Sequence, residues 1–263
     1  MLLEDKTAII YGSAGAVGGA VARTFGREGA TVFLTGRDLA AVDTVASDIV
    51  AAGGKAEAAK VDALDEEAIE KHASAVVKKA GGFDISFNAI GIPQQGIQGI
   101  PLAELSAESF ALPLATYMRS HFLTARAAGR RMVQGRSGVI LMHTPEPARL
   151  GAPLVGGMGP AWAAMEALSR ALSAEFGPHG IRAICLRSTG IPETRTIDVV
   201  FGLHAKAIGI SREQFQSMIE QMSHRRCSTT LAELADVAAL MASDRAVAMT
   251  GTVANLTGGI IVD

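Results

Sequence analysis

Short runs of β-forming residues alternate with longer amphipathic stretches along all 263 residues of the chain. Strands are predicted at residues 7–11, 31–35, 83–87, 138–142, 181–186 and about 252–256, and one more ends at residues 61–62. Helices are predicted between them at residues 17–28, 39–52, 66–79, 161–176 and 232–243, and within residues 106–132. Strands separated by helices of this length are joined by right-handed βαβ crossovers. The pattern therefore predicts a parallel sheet covered by helices on both faces.

No linker, repeat or low-complexity tract interrupts this alternation, so residues 1–263 are interpreted as one doubly wound α/β domain with about seven strands. A polar, helix-prone segment, residues 193–223, departs from the pattern. The apolar residues of this segment indicate an apolar ligand or partner, and they are Phe201, Leu203, Ile208, Ile210 and Phe215.

Charge and cysteine content narrow the functional classes. The net charge of −2 gives no electrostatic basis for binding nucleic acid or an anionic membrane. The two cysteines, Cys185 and Cys227, are far apart, which argues against a disulfide framework or a metal cluster. The acidic N-terminus is unlike a signal peptide, and no apolar run approaches the length of about 18 residues needed to span a bilayer. We therefore expect a cytoplasmic protein that binds a small molecule and no metal.

A glycine-rich turn joins the first predicted strand to the first predicted helix. At such a turn the backbone N–H groups and the positive end of the helix dipole can bind a pyrophosphate. The alternative is that the glycines serve only close packing of strand and helix. The position of the turn favours the nucleotide site, for which the candidate residues are Gly12, Ser13, Ala14, Gly15, Ala16, Val17 and Gly18.

This turn resembles the T-G-x-x-x-G-x-G motif of the short-chain dehydrogenase/reductase family. Gly12 and Gly18 are retained, whereas Ala16 replaces the middle glycine and Tyr11 replaces the leading threonine. Further likenesses extend over the whole chain: Val61-Asp62, Asn88-Ala89-Ile90-Gly91, Ala242-Ser243-Asp244, Thr250-Gly251 and Gly258-Gly259. The resemblance implies a Rossmann-type sheet, a nicotinamide dinucleotide and a substrate lid at residues 193–223. It also implies additional cofactor-binding roles for Asp62, Ala63, Asn88, Ala89, Gly91 and Thr194.

The end of the second strand favours NADP(H) over NAD(H). Relatives that prefer NAD carry an acidic residue where this chain has Gly36, and Arg37 follows directly. A guanidinium at this place can bind a 2′-phosphate through paired, charge-assisted hydrogen bonds. The alternative is an ordinary exposed arginine paired with Asp38.

The four residues on which the family's usual chemistry depends are all replaced. Counting from the flanking segments puts Met158 at the position of the catalytic tyrosine and Trp162 at that of the lysine four residues later. Pro145 stands at the position of the serine and Tyr117 at that of the asparagine. In addition, Pro192 removes a backbone N–H that relatives direct at the nicotinamide. We therefore expect the adenine end of the site to be partly kept and the usual catalysis to be lost.

Other residues near these positions are candidates for a relocated chemistry. His143 and Tyr117 are the main ones, and Thr144 qualifies if Pro145 distorts the strand end. His121, Glu146 and Arg149 are also predicted to approach the cleft. Each has an ordinary alternative: a buried histidine for His143, helix packing for Tyr117, and an exposed loop pair for Glu146 and Arg149. Met158 and Trp162 either fill the former cleft or line an apolar pocket.

Three functions remain open at the level of sequence. The chain is an NADP(H)-binding family member without the Tyr/Lys reaction, an enzyme with relocated groups such as His143 and Tyr117, or a non-catalytic subunit. The resemblance implies a homodimer or homotetramer that is formed through the two long helices, here around residues 106–132 and 161–176.

Overall fold

The computed structural model describes residues 1–262 and contains one sheet with helices on both faces. The strands are β1 (Thr7–Tyr11), β2 (Thr31–Gly36), β3 (Lys55–Lys60), β4 (Ile85–Asn88), β5 (Gly138–Pro145), β6 (Ile181–Ser188) and β7 (Thr252–Leu256). The helices are α1 (Ala16–Arg27), α2 (Leu39–Ala51), α3 (Glu66–Ala80), α4 (Ala107–Gly135), α5 (Met158–Phe176), α6 (Arg195–Ile208), α7 (Arg212–Met222) and α8 (Leu231–Ala242).

The sheet has the order β3-β2-β1-β4-β5-β6-β7, and every neighbouring pair is parallel. Alternate residues of β1 enter two different cores, because successive side chains of a strand point to opposite faces. Ile10 packs with α1, α2 and α8 on one face, and Ile9 packs with α3, α4 and α5 on the other. The predicted doubly wound sheet is confirmed.

Some element bounds differ from the predicted ones where pairing or capping decides them. β5 continues to Pro145 because it pairs with β6 along its whole length, ending at Pro145 opposite Ser188. α5 begins at Met158, three residues before the predicted start. β3 ends at Lys60, although the Val61 N–H still donates to the Gly36 carbonyl at 3.0 Å. The later end of β5 and the earlier start of α5 place the candidate residues Pro145 and Met158 in regular secondary structure.

The segment that was interpreted as a lid forms two helices, α6 and α7. Thr194 caps α6, and a capping box formed by Ser211 and Gln214 starts α7. Their apolar faces share a small core of Phe201, Ala205 and Phe215. No helix among residues 1–262 is long and apolar enough to cross a membrane.

Candidate functional site

A cavity of about 430 Å³ lies at the carboxyl ends of β1, β4, β5 and β6. It extends from the start of α1 (residues 15–17) past residues 88–91 and 150–155 to the inner faces of α6 and α7. The strand order changes direction between β1 and β4, and ligands of open α/β sheets bind beside such a point. The fold thus places one large cavity where a dinucleotide and a second ligand meet in proteins of this architecture.

The glycine turn at one end of the cavity has no space for side chains at two of its positions. Gly12 has φ +73°, and a Cβ there would lie 2.9 Å from the backbone of Ala89. A Cβ on Gly18 would lie 2.5 Å from the Gly12 carbonyl oxygen. Gly15 caps α1 without a side-chain hydrogen bond, and the first turn of α1 carries no acidic residue. The N-terminus of α1 is therefore open to an anion.

Ser13 lies in this turn, but its hydroxyl points to the sheet. The side chain is buried, and its Oγ donates to the Thr35 carbonyl oxygen at 3.1 Å. The Ser13 N–H donates to the same oxygen at 3.0 Å. Ser13 thus anchors the turn to β2, while the neighbouring Ala14, Gly15 and Ala16 are exposed.

Arg37 is exposed at the end of β2, next to the turn. Asp38 caps α2 by accepting from the Ala40 and Ala41 N–H groups, and no ion pair joins it to Arg37 among residues 1–262. Arg37 is thus exposed, as the alternative interpretation expects, but it forms no ion pair with Asp38 among these residues. A Cβ on Gly36 would lie 2.8 Å from Val42 Cγ2, so a side chain at this position would require Val42 to shift.

The residues after β3 and β4 hold their loops by hydrogen bonds. Asp62 accepts from the Leu64 N–H at 3.0 Å, and Ala63 is buried beside it. The Asn88 amide donates to Ser120 at 2.8 Å and to Thr124 at 3.0 Å, both on α4. Asn88 thus positions the loop that contains Ala89 and Gly91, which both line the cavity.

Thr194 also lines the cavity, at the start of α6, but its hydroxyl is engaged. It donates to the Ile191 carbonyl oxygen at 2.9 Å and accepts from the Ile197 N–H at 3.3 Å. Its role in the structure is to turn the chain from β6 into α6.

The four residues that the family resemblance predicts at the catalytic positions all line the same cavity: Tyr117, Pro145, Met158 and Trp162. Met158 is 1% exposed and starts α5, and Trp162 follows one turn later on the same face. Burial raises the pKa of Tyr117 to about 12, which a hydrogen bond with the backbone of Ile92 partly opposes. The fold therefore brings these positions together as the alignment of motifs predicted.

Thr144 does not face the cavity, which corrects its role as a substitute hydroxyl. β5 stays regular through Pro145, so Thr144 points to the opposite face from His143 and Pro145. Its hydroxyl donates to Glu166 Oε1 at 3.0 Å. Arg187 binds the same carboxylate with two hydrogen bonds of 2.8 and 2.6 Å. Thr144 thus belongs to a buried ion-pair cluster that the sequence did not reveal.

Glu146 lines the cavity, which corrects its interpretation as half of an exposed loop pair. The segment Pro145-Glu146-Pro147 leaves β5 through a one-turn 3-10 helix, and this turn directs the Glu146 carboxyl inward. Its Oε2 is buried without a hydrogen-bond partner among residues 1–262, whereas Arg149 is exposed. Burial raises the pKa of Glu146 to about 7.

His143 and His121 lie on the same side of the cavity as neutral imidazoles. His143 Nε2 lies 2.8 Å from Ser188 Oγ, and this hydroxyl donates to the Thr189 carbonyl oxygen at 2.8 Å. The single hydroxyl proton of Ser188 is thereby used, so His143 Nε2 donates and Nδ1 remains an acceptor. Burial lowers the pKa of His143 to about 4, and burial together with nearby His143 lowers that of His121 to about 3.

A chain of buried amides, which the sequence analysis missed, ties α6 to the loop after β4. His204 Nε2 lies 3.0 Å from Gln98 Oε1, and Gln98 Nε2 donates to Gln94 Oε1 at 2.6 Å. Gln94 Nε2 in turn donates to the Ile92 carbonyl oxygen at 2.6 Å. The four-residue spacing of Gln94 and Gln98 is the sequence feature that could have indicated a hydrogen bond between these two side chains.

Comparison with known proteins gives matches over nearly the whole chain. A family model described as enoyl-(acyl carrier protein) reductase matches residues 12–260. L-rhamnose 1-dehydrogenase (NAD(P)(+)) of Azotobacter vinelandii is 31% identical over 100% of this chain and 99% of its own. Tropinone reductase-like 1 of Erythroxylum coca is 30% identical, with 99% of this chain and 92% of its own covered. The structure of NAD+-bound xylitol dehydrogenase covers 98% of this chain and 100% of its own, with a TM-score of 0.92 at 22% identity.

Proposed function

Because the chain belongs to the short-chain dehydrogenase/reductase family, we propose that it binds NADP(H) and does not use the family's Tyr/Lys proton relay. The observation that carries this proposal is the contrast between the two ends of one cavity. The uncapped N-terminus of α1 lies at one end, and Met158 and Trp162 lie in the wall at the other.

The dinucleotide end of the site fits the group that the family implies. The pyrophosphate would lie against the N–H groups at residues 12–18, where Gly15 has no side chain and Ala16 adds only a methyl group. Arg37 would bind the 2′-phosphate, and the surrounding segments would hold the rest of the dinucleotide through Asp62, Ala63, Asn88, Ala89, Gly91 and Thr194. When bound, the nicotinamide would supply or accept a hydride.

The side chains at the end of the cavity away from α1 cannot transfer a proton at neutral pH, because each either binds its proton too tightly or has none to give. The Met158 thioether has no acidic proton, and the Trp162 indole is a hydrogen-bond donor only. Tyr117 keeps its proton because its pKa is about 12, and His143 remains neutral because its pKa is about 4. These residues cannot replace a tyrosine whose pKa a lysine lowers.

A second candidate is an enzyme with relocated groups. It is favoured by the presence of Tyr117, His121 and His143 on one cavity wall, with Tyr117 and His121 rings 6.3 Å apart. On this alternative the neutral imidazole of His143 would accept a proton at Nδ1.

We also propose that the protein is a cytoplasmic homodimer or homotetramer. If it binds no dinucleotide, the remaining function is that of a non-catalytic subunit. α4 and α5 pack side by side, and α4 carries Phe122 at 47% exposure with Arg126 stacked over its ring at 5.1 Å. A monomer in sedimentation equilibrium would contradict this assembly.

Replacement of Arg37 tests the cofactor preference directly. We expect Arg37→Ala to weaken NADPH binding about ten- to hundredfold and to leave NADH binding unchanged, since charge-assisted hydrogen bonds contribute about 1.5–3 kcal/mol. Calorimetric titration of both nucleotides measures this ratio. Arg245→Ala, an exposed arginine far along the chain, is the matched control. Equal loss for NADPH and NADH, or no loss for either, would contradict the proposed role of Arg37.

A further inference from the structure

Glu146 is the only Asp, Glu, Lys or Arg among the described residues that line the cavity. Its Oε2 is buried and has no partner among residues 1–262, and the carboxyl accepts a hydrogen bond from the backbone N–H of Glu146 itself. A buried carboxylate normally has a cation or several hydrogen bonds. Among residues 1–262, no lysine or arginine lines the cavity to supply the missing cation. A ligand that carries a positive charge would supply it.

Two imidazoles on the cavity wall add acceptors but no charge. The hydrogen bond to Ser188 leaves His143 Nδ1 as an acceptor. His204 Nε2 must donate to Gln98 Oε1, because the amide nitrogen of Gln98 is turned to Gln94, and His204 Nδ1 is thereby also an acceptor. A ligand nitrogen with several N–H donors matches this set of polar atoms.

The rest of the wall is apolar. Met158 and Trp162 on α5 lie across from Phe201 and Phe215 on the lid helices, and Met218 continues the apolar surface to the rim. Arg212 lies over the Phe201 ring at 5.8 Å, and the Phe201 and Phe215 rings meet edge to face, so these rings supply apolar surface for a hydrocarbon group. The cavity volume of about 430 Å³ suits a compact hydrocarbon body of a small ligand.

We infer that this cavity binds an apolar amine whose ammonium group pairs with the Glu146 carboxylate while its hydrocarbon body packs against Trp162 and the lid helices. This assignment rests on the proposed function, because the amine would be the second ligand of the cavity in which the dinucleotide is proposed to bind. The binding itself needs no dinucleotide, so the two proposals can be tested separately.

The pairing makes amine binding depend on pH with a defined sign. The other titratable groups that line the cavity are Tyr117 and His121 on α4, His143 on β5 and His204 on α6, while α5 and α7 contribute none. Arg149, which ends the turn that carries Glu146, is exposed. The imidazoles of His121, His143 and His204 all have lowered pKa values and stay neutral. The pKa of Glu146 is about 7, so its carboxylate forms as the pH rises through 7. Amine affinity therefore increases with pH and levels off above 7, where the amine itself is still charged.

Three probes with the same ring separate the possible ligand classes: cyclooctylamine, cyclooctanol and cyclooctanone. The chain has one tryptophan, Trp162, and it lines the cavity, so quenching of its emission reports binding to the protein without nucleotide. We expect cyclooctylamine to bind at least about tenfold tighter than cyclooctanol at about pH 8. This preference should fall about tenfold per pH unit below 7.

Glu146→Gln is the decisive variant, and Glu175→Gln, exposed on α5, is its matched control. Glu146→Gln should lose the preference for the amine and its pH dependence but still bind cyclooctanol, which demonstrates an intact cavity. Tighter binding of cyclooctanone than of the amine, with affinity that rises as the pH falls, would overturn the assignment, because Glu146 would then act as a neutral donor. An amine preference that survives in Glu146→Gln would overturn it as well. Failure of NADPH to bind leaves these outcomes intact and contradicts only the proposed function.

Discussion

Buried imidazoles make the stability of this protein sensitive to acid. His121 is 2% exposed, its Nδ1 has no partner among the described residues, and its pKa is lowered to about 3. Its pKa in the unfolded chain is about 6.5, so the unfolded state binds a proton below that pH while the folded state does not. Stability is therefore lost as the pH falls from about 6.5 towards 3. Glu146 acts in the opposite direction, because its raised pKa stabilises the folded state as the pH falls from 7 towards 4.5.

The substitution His121→Phe should remove most of the loss of stability at acidic pH that is due to His121. We expect the wild-type free energy of unfolding to fall between pH 7 and pH 5 by about 2 kcal/mol more than that of the variant. Urea denaturation at the two pH values measures the difference. His224→Phe replaces an exposed imidazole and should keep the wild-type dependence. Parallel pH dependences for wild type and His121→Phe would show that His121 is protonated in the folded state.

The residues around the end of β5 illustrate what the sequence can predict at this scale. The two-residue repeat of a strand placed His143 and Pro145 on one face, and both line the cavity. The same repeat turns Thr144 away, but the expected distortion by Pro145 obscured this. Glu146 lies beyond the strand, where no periodicity applies, and only the folded turn reveals its direction. The Glu166–Arg187 pair is invisible in sequence because its partners come from separate elements.

At the scale of elements, the site depends on how closely α1 approaches the turn that precedes it. Gly18 lies in the first turn of α1, and its Cα faces the backbone of Gly12 and Ser13. The alternation of apolar and polar residues predicted all seven strands and six of the eight helices that residues 1–262 form, since periodicity is a property of the element itself. It did not predict α6 and α7 as separate helices, because residues 193–223 depart from the pattern. The start of α5 was missed because Met158-Gly159-Pro160 has weak helix propensity, whereas packing of Met158 in the cavity wall holds this turn.

Gly18→Ala should disturb the dinucleotide end of the site. The added Cβ would lie 2.5 Å from the Gly12 carbonyl oxygen, and backbone must move to relieve the clash. We expect a loss of about 1–3 kcal/mol in stability and at least about tenfold weaker NADPH binding. Gly202→Ala, in α6 with open space at its Cβ, is the control and should be neutral or slightly stabilising. Unchanged NADPH affinity in Gly18→Ala would contradict the proposed position of the pyrophosphate.

At the scale of the whole molecule, one cavity joins two chemically different ends. The parallel sheet brings the N-terminus of α1, the loop after β4 and the lid helices to the same edge. The family and the sheet could be predicted from motifs spread over the chain, and both are confirmed. Which side chains line the cavity could not be predicted from the sequence, because part of the wall comes from α6 and α7. The packing of these two helices on each other depends on contacts such as the edge-to-face pair Phe201–Phe215.

Energy transfer from Trp162 to NADPH tests the central claim most directly. Trp162 is the single tryptophan and lines the end of the cavity where the proposed nicotinamide would lie. We predict that excitation of Trp162 produces emission from the reduced nicotinamide, that this emission saturates with added NADPH, and that NADH requires higher concentrations. The account is contradicted if millimolar NADPH produces no transferred emission, because the dinucleotide would then not occupy this cavity.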